Sequence, residues 1–318
     1  MLSLKKVSKL GFGTWGLSGD AYGYISIKDS KNLLDYSFKK KINYYDTAPS
    51  YGLGRVEKIL SKLLQKQRSN LFISTKVGLY KNKKKIALKQ KDLFNFRKNF
   101  IKKQFLESLK RLRTSYVDIL FLHSPNKQNC KNIKELSNYM SELKKRGLIR
   151  YSGISPKTPE DGLYFLKKAY FDFIQINFNL TDQRIFDNKL YQLCKEKKTK
   201  LIVRTPLNLG FLAKKYAICK IKKNIKADHR SRWDIKQLKL WNKSHEIFKK
   251  IINKKKIPMA VFAIQYCMSF KNIFAVIPGM MTKQQVKQNS IVLNLKPMKS
   301  KLLKQIRYIY KKNVFFVR

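Results

Sequence analysis

Eight short apolar segments recur along this chain, and each is followed by a longer segment whose apolar residues have helical spacing. The short segments are rich in β-branched and aromatic residues, as is typical of strands buried on both faces of a parallel sheet. Eight such units in succession predict a (β/α)8 TIM barrel rather than an open doubly wound sheet. The predicted strands cover residues 9–15, 43–46, 71–76, 117–123, 150–155, 173–177, 201–204 and 274–277.

Two regions depart from the strand–helix rhythm. Residues 205–234 form a long connection after the seventh strand, and an extra helix near residues 298–311 follows the eighth unit. No linker interrupts the pattern, so we expect one domain over residues 1–318. Ser30 and Thr282 are predicted to cap the first helix and the helix after the eighth strand. The other predicted helices cover residues 29–40, 54–66, 98–112, 132–146, 158–168, 187–197, 235–252 and 258–269.

A glycine-rich stretch at residues 11–16 has the G-x-G-x-x-G spacing of open dinucleotide-binding folds. It lies within the first predicted strand, and no helix follows it immediately. Without the strand–turn–helix context, the match does not favour an open fold.

Lysine dominates a strongly basic composition. The chain carries 71 Lys and Arg against 19 Asp and Glu, for a formal net charge of +52. Only 13 of these residues are Arg, which leaves 71 − 13 = 58 Lys spread over the whole length. Nucleic-acid readers rely on the planar Arg fork, so the pattern favours a general drift toward Lys, Asn and Ile, without a specific nucleic-acid partner. A selected polyanion-binding surface is the alternative.

The sequence favours a cytoplasmic protein without a membrane span. No apolar run approaches the ~20 residues that a span needs, and the first residues lack the apolar stretch of a signal peptide. The four cysteines are widely spaced and include no C-x-x-C pair. Neither a disulfide framework nor a zinc site is therefore expected.

Four side chains stand at or just beyond the ends of three successive predicted strands. Asp46 ends the second strand, and Tyr51 follows in the next loop. Lys76 ends the third strand and His123 the fourth. In a parallel barrel the carboxyl ends of the strands share one mouth, where the chemistry of such folds lies. We therefore expect these four residues to form one proton-transfer site.

These residue types suit the reduction of a carbonyl group. An isolated tyrosine has a pKa of about 10, and the ammonium of Lys76 is expected to lower the pKa of Tyr51. Asp46 would hold Lys76 in place and keep it charged. The imidazole of His123 would donate a hydrogen bond to the substrate oxygen. The chain has only two other histidines, and both are expected on the surface.

Motifs over nearly the whole chain resemble those of the aldo-keto reductase superfamily, in its bacterial single-domain form. The resemblance implies an NAD(P)H-dependent barrel enzyme that uses no metal. It assigns Tyr51 as the general acid, tuned by Asp46 and Lys76. His123 would orient the carbonyl. The matching positions, in the family's order, are 11–15, 45–52, Glu57, 74–76, 118–124, 153–155, 175–177, 205–207, 210–212, 277–279 and Asn289.

The resemblance also implies contacts to the nicotinamide cofactor. Ser155 and Gln175 match the pair that hydrogen-bonds the nicotinamide amide, although Pro156 replaces the Asn that commonly follows this Ser. Arg204 stands at or beside the place of a stacking aromatic, and a guanidinium can also stack on a ring. Residues 207–212 resemble the loop whose backbone N–H groups cradle the pyrophosphate. The positions carried over here are Pro206, Leu207, Gly210 and Leu212.

The adenosine end departs most from the family pattern. Many relatives carry a basic residue shortly after the proline of the eighth strand, and it grips the 2′-phosphate. Here Met280 or Met281 takes that place, and Lys283 would serve as a point charge. NADPH is therefore the expected cofactor, with NADH as the alternative. The positions carried over at this end are Gly279, Lys283, Gln285 and Asn289.

The expected function is reduction of an aldehyde or ketone, sugar-derived carbonyls included, to an alcohol. Two alternatives stay open: a cofactor-binding regulatory or partner-binding barrel with little turnover, and a polyanion-binding protein with a second role. The expected partner is a small carbonyl substrate, and the sequence does not constrain the oligomeric state. Residues 228–233 are expected either to cover the site or to lie on the surface. The aromatic residues expected around the substrate are Trp15, Tyr22, Tyr80, Phe94 and Trp233.

Overall fold

The computed structural model of the chain describes residues 2–81, 93–224, 228–252 and 257–317. Eight parallel strands form one sheet, and each pairs with the next barrel strand along the chain. Isolated parallel bridges, Leu10 with Val276 and Gly13 with Gly279, join the last strand to the first. The strands are β1 (Phe12–Gly13), β2 (Tyr44–Asp46), β3 (Phe72–Val77), β4 (Val117–His123), β5 (Ile149–Ser155), β6 (Phe173–Asn177), β7 (Lys200–Arg204) and β8 (Ile273–Ile277).

Helices fill the intervals between the strands, so the predicted (β/α)8 barrel is confirmed. The extra C-terminal helix is present as well. Within the described residues, no helix is long and apolar enough to cross a membrane. The helices are α1 (Ile27–Lys39), α2 (Arg55–Gln67), α3 (Lys98–Leu112), α4 (Ile133–Lys145), α5 (Pro159–Lys168), α6 (Arg184–Asp187), α7 (Leu190–Glu196), α8 (Ile218–Lys223), α9 (Ile235–Ile252), α10 (Met259–Met268), α11 (Lys283–Ser290) and α12 (Ser300–Lys312).

The two predicted helix caps have different outcomes. The Thr282 side chain accepts a hydrogen bond from the Gln285 backbone N–H at 3.1 Å, so this cap of α11 is confirmed. The prediction for Ser30 is wrong, because α1 begins one turn earlier. Ser26 caps it by accepting from the Asp29 N–H at 3.0 Å. Ser30 lies buried inside the helix and donates back to the Ser26 carbonyl.

The inside of the barrel is filled with large side chains and is not a channel. Alternate strand residues point inward, so Tyr44 belongs to the interior cluster while its neighbour Tyr45 packs under the helices. Leu2, Leu4 and Val7 pack against the interior cluster. The residues of this cluster are Tyr44, Phe72, Ile119, Phe121, Phe173, Ile202, Ala275 and Ile277. Because the interior is packed solid, a ligand has room only at the mouth formed by the strand ends and their loops.

The long connection after β7 carries structure of its own. It contains α8 and two short 3-10 turns, Asn208–Gly210 and His229–Arg232. The His229 backbone N–H donates to the Ala21 carbonyl at 2.9 Å, which ties the connection to the loop after β1. The connection therefore crosses from the seventh unit of the barrel to the first.

Candidate active site

The sheet places three of the predicted catalytic residues at or near the carboxyl ends of three adjacent strands. Asp46 is paired with Ser74 across β2 and β3, which places Lys76 one pleat beyond it. His123 ends β4, the neighbour of β3. Tyr51 enters from the turn Tyr51–Gly54 that follows β2.

The turn that carries Tyr51 requires a glycine. Gly52 has a φ of 57°, a left-handed conformation that side chains rarely adopt. A Cβ at this position would lie 2.9 Å from the Ser18 carbonyl oxygen. The turn is therefore held tightly against the loop after β1, and this contact fixes the position of Tyr51.

The Lys76 ammonium is the centre of the site. Its Nζ lies 2.6 Å from Asp46 Oδ2, 2.9 Å from the Thr47 carbonyl oxygen and 3.1 Å from Tyr51 Oη. Three acceptors thus match its three N–H donors. Burial alone would lower the pKa of Lys76, but the Asp46 carboxylate raises it above its ordinary value. The ammonium therefore stays charged, and it donates to the Tyr51 oxygen, which leaves the phenolic proton free for another acceptor.

Asp46 is held from its other side by two further donors. Its Oδ1 accepts from Ser74 Oγ and from Gln175 Nε2, both at 2.7 Å. Ser155 Oγ in turn donates to Gln175 Oε1 at 3.1 Å. The predicted amide-binding pair is therefore linked to the proton-transfer residues by hydrogen bonds. These contacts fix the carboxylate that keeps Lys76 in place.

The pKa of Tyr51 differs from the sequence-based expectation. Burial raises the pKa of the phenol, and the Lys76 ammonium opposes this effect without reversing it. The predicted lowering of the pKa by Lys76 is present but is outweighed by burial, because the sequence does not reveal how completely the ring is removed from water. Tyr51 is consequently a neutral phenol at neutral pH, which is the form that can donate a proton.

His123 is also neutral. Burial, with help from the positive charges of Lys76 and Arg204, holds the pKa of this imidazole well below its usual range. Its ring centroid lies 6.1 Å from that of Tyr51. Among the described residues, its buried Nδ1 has no hydrogen-bond partner. A neutral imidazole carries one N–H, so His123 can donate to a substrate oxygen without bringing a charge.

A cavity of about 390 Å³ opens directly above these residues. Asp46, Tyr51 and His123 line its floor, and Lys76 lies buried behind them. Most of the predicted cofactor residues line the same cavity. These are Gln175, Arg204, Pro206, Leu207, Gly210, Gly279, Gln285 and Asn289.

Three of the predicted cofactor residues are not among those that line the cavity. Ser155 is buried behind Gln175, and Leu212 is part of the apolar core. Lys283 begins α11 with its ammonium 5.9 Å from the ring centroid of Tyr36, a residue of α1. No cation of α11 therefore faces the described part of the cavity.

Arg204 contacts Pro156, the residue that replaces the Asn of the family pattern. One terminal nitrogen of its guanidinium donates to the Pro156 carbonyl at 2.9 Å. Among the described residues, its buried Nε has no partner. The side chain lines the cavity close enough to Tyr51 for its charge to influence that phenol.

Arg230 is a cavity residue that the sequence reasoning did not single out. It forms a buried two-point pair with Asp228, with Nη2 2.6 Å from Oδ2 and Nε 2.9 Å from Oδ1. Its guanidinium also lies 4.1 Å from the ring centroid of Tyr216. Lys214 lines the same end of the cavity. The Asp-x-Arg spacing was visible in the sequence, but the path of the long connection was not.

Residues 228–233 divide between the two expected locations. Asp228, His229 and Arg230 are buried at the mouth, whereas Trp233 is 42% exposed and packs on Trp241. The surface location expected for His229 is wrong. Its Nδ1 lies 2.9 Å from the Ala21 carbonyl, and burial lowers its pKa to about 4. Nδ1 therefore carries the proton of a neutral ring.

Two of the five aromatic residues expected around the substrate line the cavity. Trp15 lies with its ring centroid 6.4 Å from that of Tyr51, and Tyr22 packs edge-on to Trp15. Tyr80 and Phe94 instead form a short antiparallel ribbon outside the described cavity. The entrance above Tyr51 is thus partly aromatic.

Comparison with known proteins agrees with this geometry. The model of the Aldo/keto reductase family matches residues 9–311. The protein named Uncharacterized oxidoreductase YqkF, from Bacillus subtilis (strain 168), is 26% identical over 311 residues, covering 96% of this chain and 97% of that protein. L-galactose dehydrogenase of Arabidopsis thaliana is 28% identical over 293 residues, covering 89% and 83%.

A solved structure agrees as well. Aldo-keto reductase AKR11C1 from Bacillus halodurans, in its holo form, superposes with a TM-score of 0.77 at 25% identity, covering 97% of this chain and 94% of that one. The family match covers nearly the whole chain and includes all eight strands of the barrel. This chain therefore belongs to the aldo/keto reductase family.

Proposed function

We propose that this protein reduces an aldehyde or ketone to an alcohol with NAD(P)H, and that Tyr51 donates the proton. Family membership supports the nicotinamide-dependent oxidoreductase chemistry. The observation that carries the residue roles is the Asp46–Lys76–Tyr51 hydrogen-bonded series beside a neutral His123, at the floor of a cavity. A cytoplasmic location and the lack of a specific nucleic-acid partner stay predictions from the sequence.

The donors around the cavity fit a nicotinamide nucleotide. The Gln175 amide and the Arg204 guanidinium line the cavity and can provide polar contacts near Tyr51. Toward the other end, Lys214 supplies positive charge suited to a pyrophosphate, and the guanidinium of Arg230, paired with Asp228, lies beside it as a further N–H donor. Between them, Leu209 and its neighbours have positive φ, a conformation whose successive N–H groups can form an anion-binding concavity. When bound, the reduced nicotinamide supplies a hydride.

The protein residues manage the proton. The Tyr51 hydroxyl would donate to the carbonyl oxygen of the substrate, while the neutral His123 holds that oxygen by a hydrogen bond. The phenolate that remains on Tyr51 is stabilised by the Lys76 ammonium at 3.1 Å. Because Asp46 keeps Lys76 charged, this stabilisation is in place before the reaction begins.

The adenosine end supports only a weak choice between the two nucleotides. From α11, Gln285, Gln288 and Asn289 line the cavity, whereas Lys283 does not. We therefore propose that both NADPH and NADH are accepted, with NADPH favoured by the net charge of +52. Titration of the protein with each nucleotide, followed by quenching of tryptophan fluorescence, measures this preference.

A sugar-derived or other hydroxylated carbonyl is the substrate class that we propose. Trp15 and Tyr22 line the entrance, and aromatic faces can stack on a sugar ring. The name of the L-galactose dehydrogenase relative is consistent with this class. A panel of simple, aromatic and hydroxylated aldehydes, followed by nicotinamide absorbance, tests it. If the protein binds NADPH but turns over no member of the panel, it is a binding barrel and not a reductase.

A further inference from the structure

A groove between α1 and α2 lies on the outer surface of the barrel, away from the catalytic cavity. Two adjoining hollows of about 350 and 190 Å³ form it, and Ile59 lies in the floor of both. Leu34 and Leu63 extend this buried apolar floor. At one end Ile27 and Leu53 line the groove although they are 49% and 40% exposed. The groove thus has a continuous apolar strip along its floor, and Ile27 and Leu53 at one end are the parts of it that are exposed to solvent.

Basic residues border this strip on both sides. Lys58, Lys62 and Lys66 follow one another at i, i+4 and i+8 on α2, and Lys31 faces them from α1. Such spacing places them on one helix face over about 12 Å. Within the described part of the chain, no carboxylate lies within 4.0 Å of any of these four ammonium groups. Among the residues that the structure describes, Asp35 is the one acidic residue that lines the groove.

The shape of the groove limits what it can bind. It is concave and bounded by two helices, so a planar lipid surface cannot reach its apolar floor. Its one arginine, Arg55, is turned inward and donates to the carbonyls of Leu17 and Ile25. The groove therefore lacks a free guanidinium fork of the kind that nucleic-acid recognition favours. An apolar floor beside the row of lysines on α2, faced by Lys31 and Asp35 on α1, is complementary to a helix with one apolar face and an acidic flank toward α2.

We propose that the groove between α1 and α2 binds an acidic amphipathic helix of a partner protein. The apolar face of that helix would cover Ile59 and the exposed side chains at the end of the groove. Its carboxylates would pair with the row of lysines on α2, which relieves the repulsion between like charges one helical turn apart. Leu53 stands two residues after Tyr51 in the same turn, so the partner would dock beside the segment that carries the proton donor.

Fluorescence anisotropy on the full-length protein tests this proposal. The probe is a labelled peptide of about 14 residues, with Leu on one helix face and Glu on both sides of it. A scrambled peptide of the same composition, in which Leu is spread around the helix, is its control. At about 0.15 M salt, we expect the amphipathic peptide to bind at least ~10-fold more tightly than the scrambled one, because only the former can cover the floor.

Variants locate the binding. Lys58→Glu with Lys62→Glu should weaken binding of the amphipathic peptide by ~10-fold or more, whereas the matched pair Lys102→Glu with Lys103→Glu on the exposed face of α3 should change it by less than ~2-fold. Ile27→Ser, which changes no charge, should also weaken it. Circular dichroism verifies that each variant is folded.

Three outcomes would overturn the proposal. The first is equal affinity for the scrambled peptide. The second is equal weakening by the α3 pair, which would indicate diffuse charge attraction. The third is binding of phosphatidylglycerol vesicles or of single-stranded RNA that depends on Lys58 and Lys62 while the amphipathic peptide fails to bind. Loss of binding in Ile27→Ser together with the groove pair, and not in the α3 pair, is the supporting result.

Discussion

The two ends of the catalytic cavity are built in different ways. At one end, Asp46, Lys76 and His123 stand at the ends of adjacent strands, and the parallel ladder fixes their relative positions. At the other end, Lys214 and Arg230 come from the long connection after β7, and the residues of α11 come from a helix face. The sheet determines the positions of the side chains at the first end. At the second end, their positions depend on the conformation of the connection and on the orientation of α11.

Because of this difference, we expect the two ends of the cavity to have different functions. The strand end is buried, several hydrogen bonds hold Asp46 and Lys76 in place, and it is suited to chemistry that needs fixed distances. The loop end carries positive charge on side chains that pair within their own connection, as Arg230 does with Asp228. We expect substitutions at the strand end to change the rate of reduction and substitutions at the loop end to change nucleotide affinity.

Tyr51→Phe should have the largest effect. It removes the hydroxyl that we propose as the proton donor and keeps the ring, so we expect kcat to fall by ~10³-fold or more, in line with the contribution of general acid catalysis. NADPH affinity, measured by fluorescence quenching, should change by less than ~2-fold. Substantial turnover in this variant would contradict the assigned role of Tyr51.

Lys76→Met should reduce both kcat and stability. It removes the cation that stabilises the phenolate, for an expected loss of ~10²-fold in kcat. It also leaves Asp46 buried without its partner, which costs ~3 kcal/mol in the free energy of unfolding. In Lys76→Met with Asp46→Asn, chemical denaturation should show most of that stability restored while kcat stays low. If kcat recovers together with stability, Lys76 acts only on the fold.

The pH dependence follows from the two perturbed groups. Because the pKa of Tyr51 is raised, the protonated phenol persists as pH rises, and kcat for reduction should stay level between about pH 7 and 9. The reverse oxidation needs the phenolate and should accelerate over the same range. Because the pKa of His123 lies well below its usual range, no loss of kcat from its protonation is expected near pH 6.5. A fall in the reduction rate below pH 9 would argue against a raised Tyr51 pKa.

The same comparison explains what the sequence predicted and what it did not. The alternation of apolar segments predicts where the strands end, so the sequence alone is enough to bring Asp46, Tyr51, Lys76 and His123 together. The position of Arg230 cannot be predicted in this way, because it depends on a connection that crosses from the seventh unit of the barrel to the first. The direction of the Tyr51 pKa shift cannot be predicted from the sequence either. It depends on whether the effect of burial exceeds the effect of the Lys76 charge, and burial is a property of the folded chain.

Arg230→Met tests the loop end and should have an intermediate effect. Loss of its positive charge should weaken NADPH binding by ~10-fold, while kcat at saturating nucleotide stays within ~2-fold of the original. Arg230→Lys keeps the charge but not the planar guanidinium that pairs with Asp228 at two points. The NADPH affinity of this variant should therefore lie between that of the original protein and that of Arg230→Met. A fall in kcat as large as that of Tyr51→Phe would remove the distinction between the two ends.

Lys283→Met should have the smallest effect, although the sequence pattern favoured this lysine as the 2′-phosphate contact. Successive helix residues are turned by about 100°, so Lys283 and Gln285 of α11 cannot point the same way. Gln285 lines the cavity, and Lys283 lies over the Tyr36 ring of α1. We therefore expect the ratio of NADPH to NADH affinity to change by less than ~2-fold in Lys283→Met, whereas Lys214→Met, which removes a charge from the cavity lining near the proposed pyrophosphate, should weaken both nucleotides together. If Lys283→Met abolishes a preference for NADPH, α11 must turn this lysine toward the nucleotide when the nucleotide binds. The positions of the α11 side chains would then depend on the ligand and not on the fold alone.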